Sequence, residues 1–214
     1  MPVITQIAEN HRTPTRRRIF LDGRPAFNCG LNVVARFRLR VGMELDQAAV
    51  DQILQGEVRQ ECVDAALHLI SRRLHSRSEL FRKLTRGRFE AGMVDAVLDD
   101  LARQGYVDDQ KFAQAKAQAA AQRRHLGRRG AFADLMKSGV KRDVAESALD
   151  EVYDRNDTLA IARRLAEKAA PRLRKLDPQV ARRRLAGMLG RRGFDYEQIK
   201  QVIQETLGGA DADE

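Results

Sequence analysis

Residues 77–89 read RSELFRKLTRGRF, and this stretch decides the fold because its pattern occurs three times along the chain. Residues 128–140 read RRGAFADLMKSGV, and residues 182–194 read RRRLAGMLGRRGF. Each copy has arginine at its first position, leucine at its eighth and an apolar residue at its thirteenth. The three leucines, Leu84, Leu135 and Leu189, are 51 and 54 residues apart. Such a period is typical of stacked helical repeats, each too small to bury its apolar face alone.

The segment after each copy repeats as well and predicts a third helix in each unit. Apolar residues recur there at i, i+3 and i+4, the spacing of one helix face. One equivalent set is mismatched, because Gln198 stands where the earlier copies have Met93 and Val144. The matching sets are Val94, Ala145 and Ile199; Val97, Ala148 and Val202; and Leu98, Leu149 and Ile203.

A glycine and an apolar residue mark the turn before each third helix. Gly139 and Gly193 lie four residues after their leucines, whereas in the first copy Gly87 comes one residue earlier. We expect the glycine to end the middle helix and the apolar residue to pack the turn. For the tyrosine that follows Gly105, packing is favoured over base stacking. The predicted structural anchors are therefore Leu84, Leu135, Leu189, Phe89, Val140, Phe194 and Tyr106.

The N-terminal residues follow a different pattern. Asp22-Gly23 separates two short apolar-rich segments, and this dipeptide favours a two-residue β-hairpin turn. Residues 3–7 are a candidate third strand, and residues 32–37 a short helix. Asp46 is a plausible N-cap for a leading helix over residues 47–54, which Gly56 is expected to interrupt. An amphipathic stripe then runs from Cys62 to Leu74.

The predicted fold class is mainly α, with three tandem three-helix, helix-turn-helix-like repeats preceded by a small N-terminal β-hairpin. The predicted organisation is an N-terminal β-hairpin segment over residues 1–45, a first repeat with its leading helix over 46–107, a second repeat over 108–156, a third over 157–208 and an acidic tail over 209–214. Asp108 is expected to cap the first helix of the second repeat.

Composition excludes several classes of protein. The 214 residues carry a net charge of +9, only 5% are aromatic, and Trp is absent, which favours an aliphatic helical core. Cys29 and Cys62 form no CxxC pair, and no apolar run approaches the roughly 20 residues that span a bilayer. With no secretory signal apparent, we expect a cytoplasmic protein. We find no HExxH, Walker or dinucleotide-binding motif, so we expect no metal, no cofactor and no catalysis.

The positive charge is concentrated in arginine pairs and triplets rather than in a tail. Arg77, Arg128 and Arg182 share one repeat position, predicted to begin the middle helix, where the macrodipole disfavours a cation. Three such placements suggest phosphate or carboxylate contacts; a solvated or internally paired arginine is equally compatible with each one. The candidate contact residues are Arg77, Arg82, Lys83, Arg86, Arg123, Arg124, Arg128, Arg129, Arg182 and Arg183.

Three segments resemble motifs of the RecX family of recombinase regulators. They are Ser76-Arg77-Ser78-Glu79-Leu80 with Lys83-Leu84, Gly105-Tyr106-Val107-Asp108-Asp109 with Phe112-Ala113, and Gly127-Arg128-Arg129 through Gly139-Val140. The resemblance covers nearly the whole chain, and the Gly105–Asp109 segment is its most specific part. The turn at Arg86–Phe89 and the alanine-rich stretch Ala113–Ala121 depart from the family pattern.

The resemblance implies a non-enzymatic, monomeric protein that binds the RecA recombinase filament on DNA, lies in the filament groove, and inhibits strand exchange, ATP hydrolysis and co-protease activity. Direct binding to DNA stays open, and no membrane partner is implied. A helix-turn-helix DNA-binding transcriptional regulator is the alternative, although no repeat has the Asn-, Gln- or Thr-rich helix that base recognition favours. A nucleic-acid enzyme is disfavoured because no carboxylate or metal-ligand cluster is apparent.

Overall fold

The computed structural model describes residues 1–10, 13–154 and 157–208, and the predicted acidic tail lies outside them. The described residues form three strands and ten helices, which confirms the mainly α fold with a small N-terminal sheet. The elements are β1 Ile4–Glu9, β2 Arg16–Leu21, β3 Arg24–Gly30, α1 Leu31–Arg36, α2 Gln47–Arg72, α3 Arg77–Gly87, α4 Ala91–Arg103, α5 Asp109–Gln122, α6 Arg128–Lys137, α7 Arg142–Asp154, α8 Thr158–Leu173, α9 Pro178–Arg191 and α10 Tyr196–Leu207.

The chain divides into two compact units. The first contains Met1–Arg73 and Leu80–Tyr106, and the second contains Leu74–Glu79 together with the chain from Val107 onward. The first unit holds the sheet and the helices α1, α2 and α4, whereas the second holds the helices α5 to α10.

The N-terminal sheet is antiparallel, in the order β1-β2-β3. Asp22 and Gly23 have φ values of 49° and 77°, which confirms the predicted hairpin turn, since its two central residues need positive φ. Pro25 lies on β3 at the edge of the sheet, where its missing amide hydrogen costs no ladder bond. Ile4, Ile19 and Cys29 are fully buried and pack with residues of α1 and α2.

A buried carboxylate fastens this sheet to α2. Glu57 accepts a hydrogen bond of 2.7 Å from the amide of Gly30 and pairs with Arg16 at 2.7 Å. Arg16 also pairs with Glu61 at 3.1 Å, and Glu61 pairs with Arg88 at 2.6 Å. The carboxylate of Glu57 is thus satisfied on both oxygens, as a buried charge requires.

The predicted interruption at Gly56 is wrong, because α2 runs unbroken from Gln47 to Arg72. Gly56 is buried, and a Cβ atom at this position would lie 2.6 Å from Cε2 of Phe37. The glycine therefore makes room for an aromatic ring instead of ending a helix. The helix does end before Leu74, which is 50% exposed and so does not continue the apolar stripe.

The repeated leucine and the apolar residue five positions later belong to one helix-ending motif. In the second repeat, the amide of Gly139 donates to the carbonyl of Met136 at 2.9 Å, and that of Val140 donates to the carbonyl of Leu135 at 3.3 Å. This is the Schellman pattern, with glycine in the left-handed conformation and an apolar contact across the turn. Gly193 closes the same motif in the third repeat, with a φ of +79°. Six of the predicted anchors are buried: Leu84, Phe89, Leu135, Val140, Leu189 and Phe194.

The packing role predicted for Tyr106 is wrong. The same Schellman motif ends α4 at Gly105, and the amide of Tyr106 donates to the carbonyl of Leu101 at 2.9 Å. However, the tyrosine is 54% exposed, whereas Val107 is only 6% exposed. Because the chain reverses at Gly105, the side chain of Tyr106 points outward and that of Val107 is buried instead.

Candidate anion-binding surface at the junction of the second and third repeats

The glycine turn that ends the middle helix of one repeat packs against the start of the middle helix in the repeat before it. Ser76, just before α3, donates from its hydroxyl to the carbonyl of Ser138 at 2.6 Å, and a Cβ on Gly139 would collide with Ser78. Gly127, just before α6, donates from its amide to the carbonyl of Arg192 at 2.9 Å. Gly87 has nothing within 4 Å of its Cβ position and no positive φ. In the described chain the first repeat follows the sheet and α1 rather than another three-helix repeat, so no earlier middle helix packs on Gly87 and its displacement is tolerated.

The junction of the second and third repeats is a contact between backbones. A Cβ atom on Gly127, Gly130 or Gly193 would come within 3.0 Å of backbone atoms across the junction. Only glycine allows this approach. The end of α5, the start of α6 and the end of α9 therefore meet at fixed positions.

Six arginines lie on the segments that meet there, and we call them the junction arginines. Arg192 fixes the geometry, since its Nη1 donates to the carbonyl of Arg124 at 2.7 Å. A cation near the C-terminal end of a helix is favoured by the helix dipole, and Arg124 is the second residue after α5. The junction arginines are Arg123, Arg124, Arg128, Arg129, Arg191 and Arg192.

Three of the junction arginines form ion pairs or hydrogen bonds with other residues of the protein. Arg124 pairs with Asp134 at 2.5 Å, and Lys116 approaches the same carboxylate at 3.4 Å. Arg128 pairs with Asp150. These two pairs lie within the second repeat, whereas Arg192 bonds across the junction to the carbonyl of Arg124.

The other three are available to a partner. Within the described chain, Arg123, Arg129 and Arg191 form no ion pair, and all three are exposed. Nη1 of Arg191 would lie 3.2 Å from a Cβ on Gly187, so this guanidinium lies back along α9. Arg184 is exposed on the same helix face, seven residues before Arg191. The free cations thus project from a rigid junction rather than from flexible tails.

A small cavity of about 240 Å³ opens beside these residues, lined in part by Arg128, Arg129, Asp195 and Tyr153. The Tyr153 hydroxyl donates to the carbonyl of Leu126 at 3.0 Å and so braces the loop before α6. Burial raises the pKa of Tyr153 to about 12, against a smaller opposing effect of Arg124, so the phenol stays neutral and keeps this donor.

The remaining predicted contact residues fall into separate groups. Arg82, Lys83 and Arg86 are exposed on α3, in the first unit, and Arg183 is exposed on α9. Arg77 is half-buried at the start of α3, and its amide donates to Asp109 at 2.8 Å. These positions stay candidates.

The prediction that Arg182 begins its middle helix is wrong. Helix α9 starts four residues earlier, at Pro178, because Asp177 accepts from the amides of Gln179 and Val180 and proline suits the first helical position. Arg182 lies one turn inside α9, and its guanidinium donates to the carbonyl of Gly208 at 3.2 Å, just beyond α10.

Sequence reasoning missed Arg191 and Arg192 as site residues. Their pairing was visible, but only the contact between Gly193 and Gly130 brings them beside Arg129. Among the described residues, no group of three or more His, Cys, Asp or Glu side chains is arranged to hold a metal ion. No described helix has both the length and the apolarity to cross a bilayer.

The fold and this surface define a class: helical-repeat proteins with tandem three-helix units and a small N-terminal sheet. The family model for the first three-helix domain of RecX matches residues 62–101, and that for the third matches residues 156–203. A regulatory protein RecX of Pelodictyon phaeoclathratiforme is 34% identical over 150 residues, which are 70% of this chain and 91% of that protein. The chain belongs to the RecX family.

Other relatives agree over greater lengths. The regulatory protein RecX of Bacillus licheniformis is 29% identical over 206 residues, or 96% of this chain and 78% of that protein. A crystal structure of a regulatory protein RecX has the same fold, with a TM-score of 0.78 at 22% identity, covering 94% of this chain and 98% of the other. RecX from Lactobacillus salivarius matches with a TM-score of 0.63 at 23% identity, covering 71% and 97%.

Proposed function

We propose that this protein is a non-enzymatic modulator of the RecA recombinase, which binds the RecA–DNA nucleoprotein filament and limits strand exchange, ATP hydrolysis and co-protease activity. Membership of a family of regulatory proteins supports a regulatory role. The observation that carries the proposal is a set of three guanidinium groups, Arg123, Arg129 and Arg191, which form no ion pair within the described residues and lie at the close-packed glycine junction.

A guanidinium recognises carboxylate or phosphate through charge-assisted, often bidentate hydrogen bonds. A nucleoprotein filament offers both groups, on the recombinase surface and along the DNA backbone. Because the junction is rigid, little order is lost when its arginines bind, which favours affinity. A filament also repeats its surface, so further contacts from the exposed cations of α3 and α9 add through effective concentration.

In this mechanism the protein acts by occupying the filament groove. Seated in the filament groove, it excludes the second duplex needed for strand exchange and restrains the protomer movements that accompany ATP hydrolysis. We propose that it acts as a monomer in the cytoplasm and needs no cofactor. Its cysteines are both free and buried, as suits a reducing compartment.

RecA-mediated strand exchange with substoichiometric protein tests the proposal. The triple variant Arg123→Ala, Arg129→Ala, Arg191→Ala should need about tenfold more protein for half inhibition. The matched control is Arg164→Ala, Lys168→Ala, Arg172→Ala, which removes the same charge from exposed positions on α8. It should stay within about twofold of the wild type.

Two results would contradict the proposal. If the wild-type protein neither inhibits exchange nor shortens filaments, filament modulation is not its function. If a selected duplex sequence binds far more tightly than random duplex at equal salt, the helix-turn-helix DNA-binding transcriptional regulator is favoured instead.

A further inference from the structure

A groove of about 490 Å³ lies in the first unit, between α1, α2 and α4, far along the chain from the junction arginines. Four residues of α2 line it at the spacing of one helix face: Gln52, Gln55, Gly56 and Arg59. Helix α4 adds Met93 and Ala96, and the end of α1 adds Arg36 and Phe37. Gly56 makes room for the ring of Phe37, and together with Met93 and the small Ala96 this ring gives the groove its apolar surface.

The ring of Phe37 is fixed on two sides. Its edge packs against Gly56, where a Cβ would lie 2.6 Å from Cε2. The guanidinium of Arg36 lies 5.8 Å from the ring centroid, so a cation covers one aromatic face. Neighbouring Met93 has a flexible thioether side chain, which adapts to inserted apolar groups. The wall is therefore shaped for an apolar side chain rather than for a base stacked on a free ring.

The charge around the groove is one-sided. Arg36 lines the groove, and Arg38 and Arg40 are exposed two and four residues further along the chain; none of the three forms an ion pair within the described residues. At the other walls, Arg59 is already paired with Asp100, and exposed carboxylates stand nearby on α2 and α4, at Asp51 and Asp99. A continuous phosphate backbone would run past those carboxylates, whereas a ligand with anionic groups at one end would not.

We propose that this groove binds an acidic segment of a partner protein. The segment inserts an aromatic or large aliphatic side chain between Phe37 and Met93 and places its carboxylates opposite Arg36, Arg38 and Arg40. The apolar anchor provides affinity and the arginines select the acidic flank, as in interfaces where a buried anchor is rimmed by complementary charge. This site goes beyond the proposed function, because it uses neither the junction arginines nor DNA.

The test uses the full chain and a short fluorescein-labelled peptide in which one phenylalanine is followed by a run of glutamates. Binding is measured by fluorescence anisotropy. Ala96→Glu, which fills the groove from an exposed helix position, and Arg40→Glu, which leaves the Phe37 contacts intact, should each weaken binding about tenfold or more. The controls Ala102→Glu on α4 and Arg24→Glu at the start of β3 make the same substitutions at exposed positions outside the groove, and should stay within about twofold.

Two further ligands test whether the apolar side chain is needed for binding and whether a nucleic acid binds the same groove. Replacing the phenylalanine of the peptide by alanine should weaken binding about tenfold, and oligothymidine should fail to displace the peptide. The proposal is overturned if the peptide does not bind, if the alanine peptide binds equally well, if oligothymidine competes for the groove, or if both groove variants bind like the controls. Circular dichroism establishes that each variant is folded. The triple junction variant should bind this peptide normally, so failure here is distinguishable from failure of the proposed function.

Discussion

The amide of Gly127 donates a hydrogen bond of 2.9 Å to the carbonyl of Arg192, and this bond joins the start of one middle helix to the turn that ends the next. Around it, Gly130 and Gly193 approach more closely than any residue with a Cβ atom allows. The junction therefore fixes where the arginines on either side of it stand.

Replacing Gly193 by alanine should destabilise the protein more than the same change at Gly105. Both glycines end a helix, with φ values of +79° and +78°, so both variants carry similar backbone strain, of about 1–2 kcal/mol. Only at Gly193 would the new methyl group collide with backbone, since the space around Gly105 is open. Urea unfolding measures the difference, and equal losses for the two variants would show that the junction is not close-packed.

Leu135→Ala should lower the free energy of unfolding by about 2–5 kcal/mol. Leu135 is fully buried and lies across the Schellman turn from Val140, so the truncation leaves a cavity inside the second repeat. Met136→Ala is the matched control, because Met136 is 39% exposed, and it should cost under about 1 kcal/mol. Chemical denaturation measures the free energy of unfolding of both variants, provided that the m-value is unchanged. A loss of stability in Leu135→Ala as small as that in Met136→Ala would place the leucine outside the core.

Glu57→Gln should cost about 2–3 kcal/mol, because it leaves Arg16 without its buried partner. The side chain of Glu57 is only 9% exposed, whereas that of Glu9, which pairs with Arg17, is 74% exposed. Glu9→Gln should therefore change stability by less than about 0.5 kcal/mol. Thermal unfolding of the two variants makes the comparison. Similar small losses would mean that the sheet does not depend on the Glu57 carboxylate.

The ion pair between Arg163 and Glu205 should contribute to stability only above the pKa of the carboxyl. Hydrogen bonds from Arg163 and, to a lesser degree, Gln201 lower the pKa of Glu205 from 4.5 to about 2. A lowered folded-state pKa stabilises the protein above pH 4.5, and the contribution is lost as the pH falls towards 2.

Carbon-detected NMR titration of Glu205 reports this pKa directly. Arg163→Ala should return the Glu205 pKa towards 4.5, whereas Arg164→Ala, the neighbouring exposed arginine, should leave it low. An unchanged pKa in the Arg163→Ala protein would contradict this assignment.

Much of the fold follows from local signals in the sequence. Asp22-Gly23 predicts the hairpin, and Asp46 and Asp108 cap their helices. The recurring leucine, glycine and apolar residue form a Schellman turn in the second and third repeats, and the first repeat lacks the glycine at the equivalent position. Local chemistry suffices here because each motif satisfies its own backbone hydrogen bonds.

Other features needed tertiary information. Gly56 has the composition of a helix break, but its role is set by Phe37, which is distant in sequence. Arg191 and Arg192 join the candidate site only because Gly193 meets Gly130 across the junction. The start of α9 is indicated by Asp177-Pro178, an N-cap residue followed by proline. Aligning Arg182 with Arg77 and Arg128 instead predicts a start four residues too late.

The most direct test of the central claim is co-sedimentation with preassembled RecA–DNA filaments at two salt concentrations. The Arg123→Ala, Arg129→Ala, Arg191→Ala protein should bind about tenfold more weakly than the wild type at low salt and lose less affinity as salt rises. The Arg164→Ala, Lys168→Ala, Arg172→Ala control should follow the wild type. If the junction variant, still folded by circular dichroism, sediments with the filament like the wild type at both salts, the junction arginines are not the filament contact.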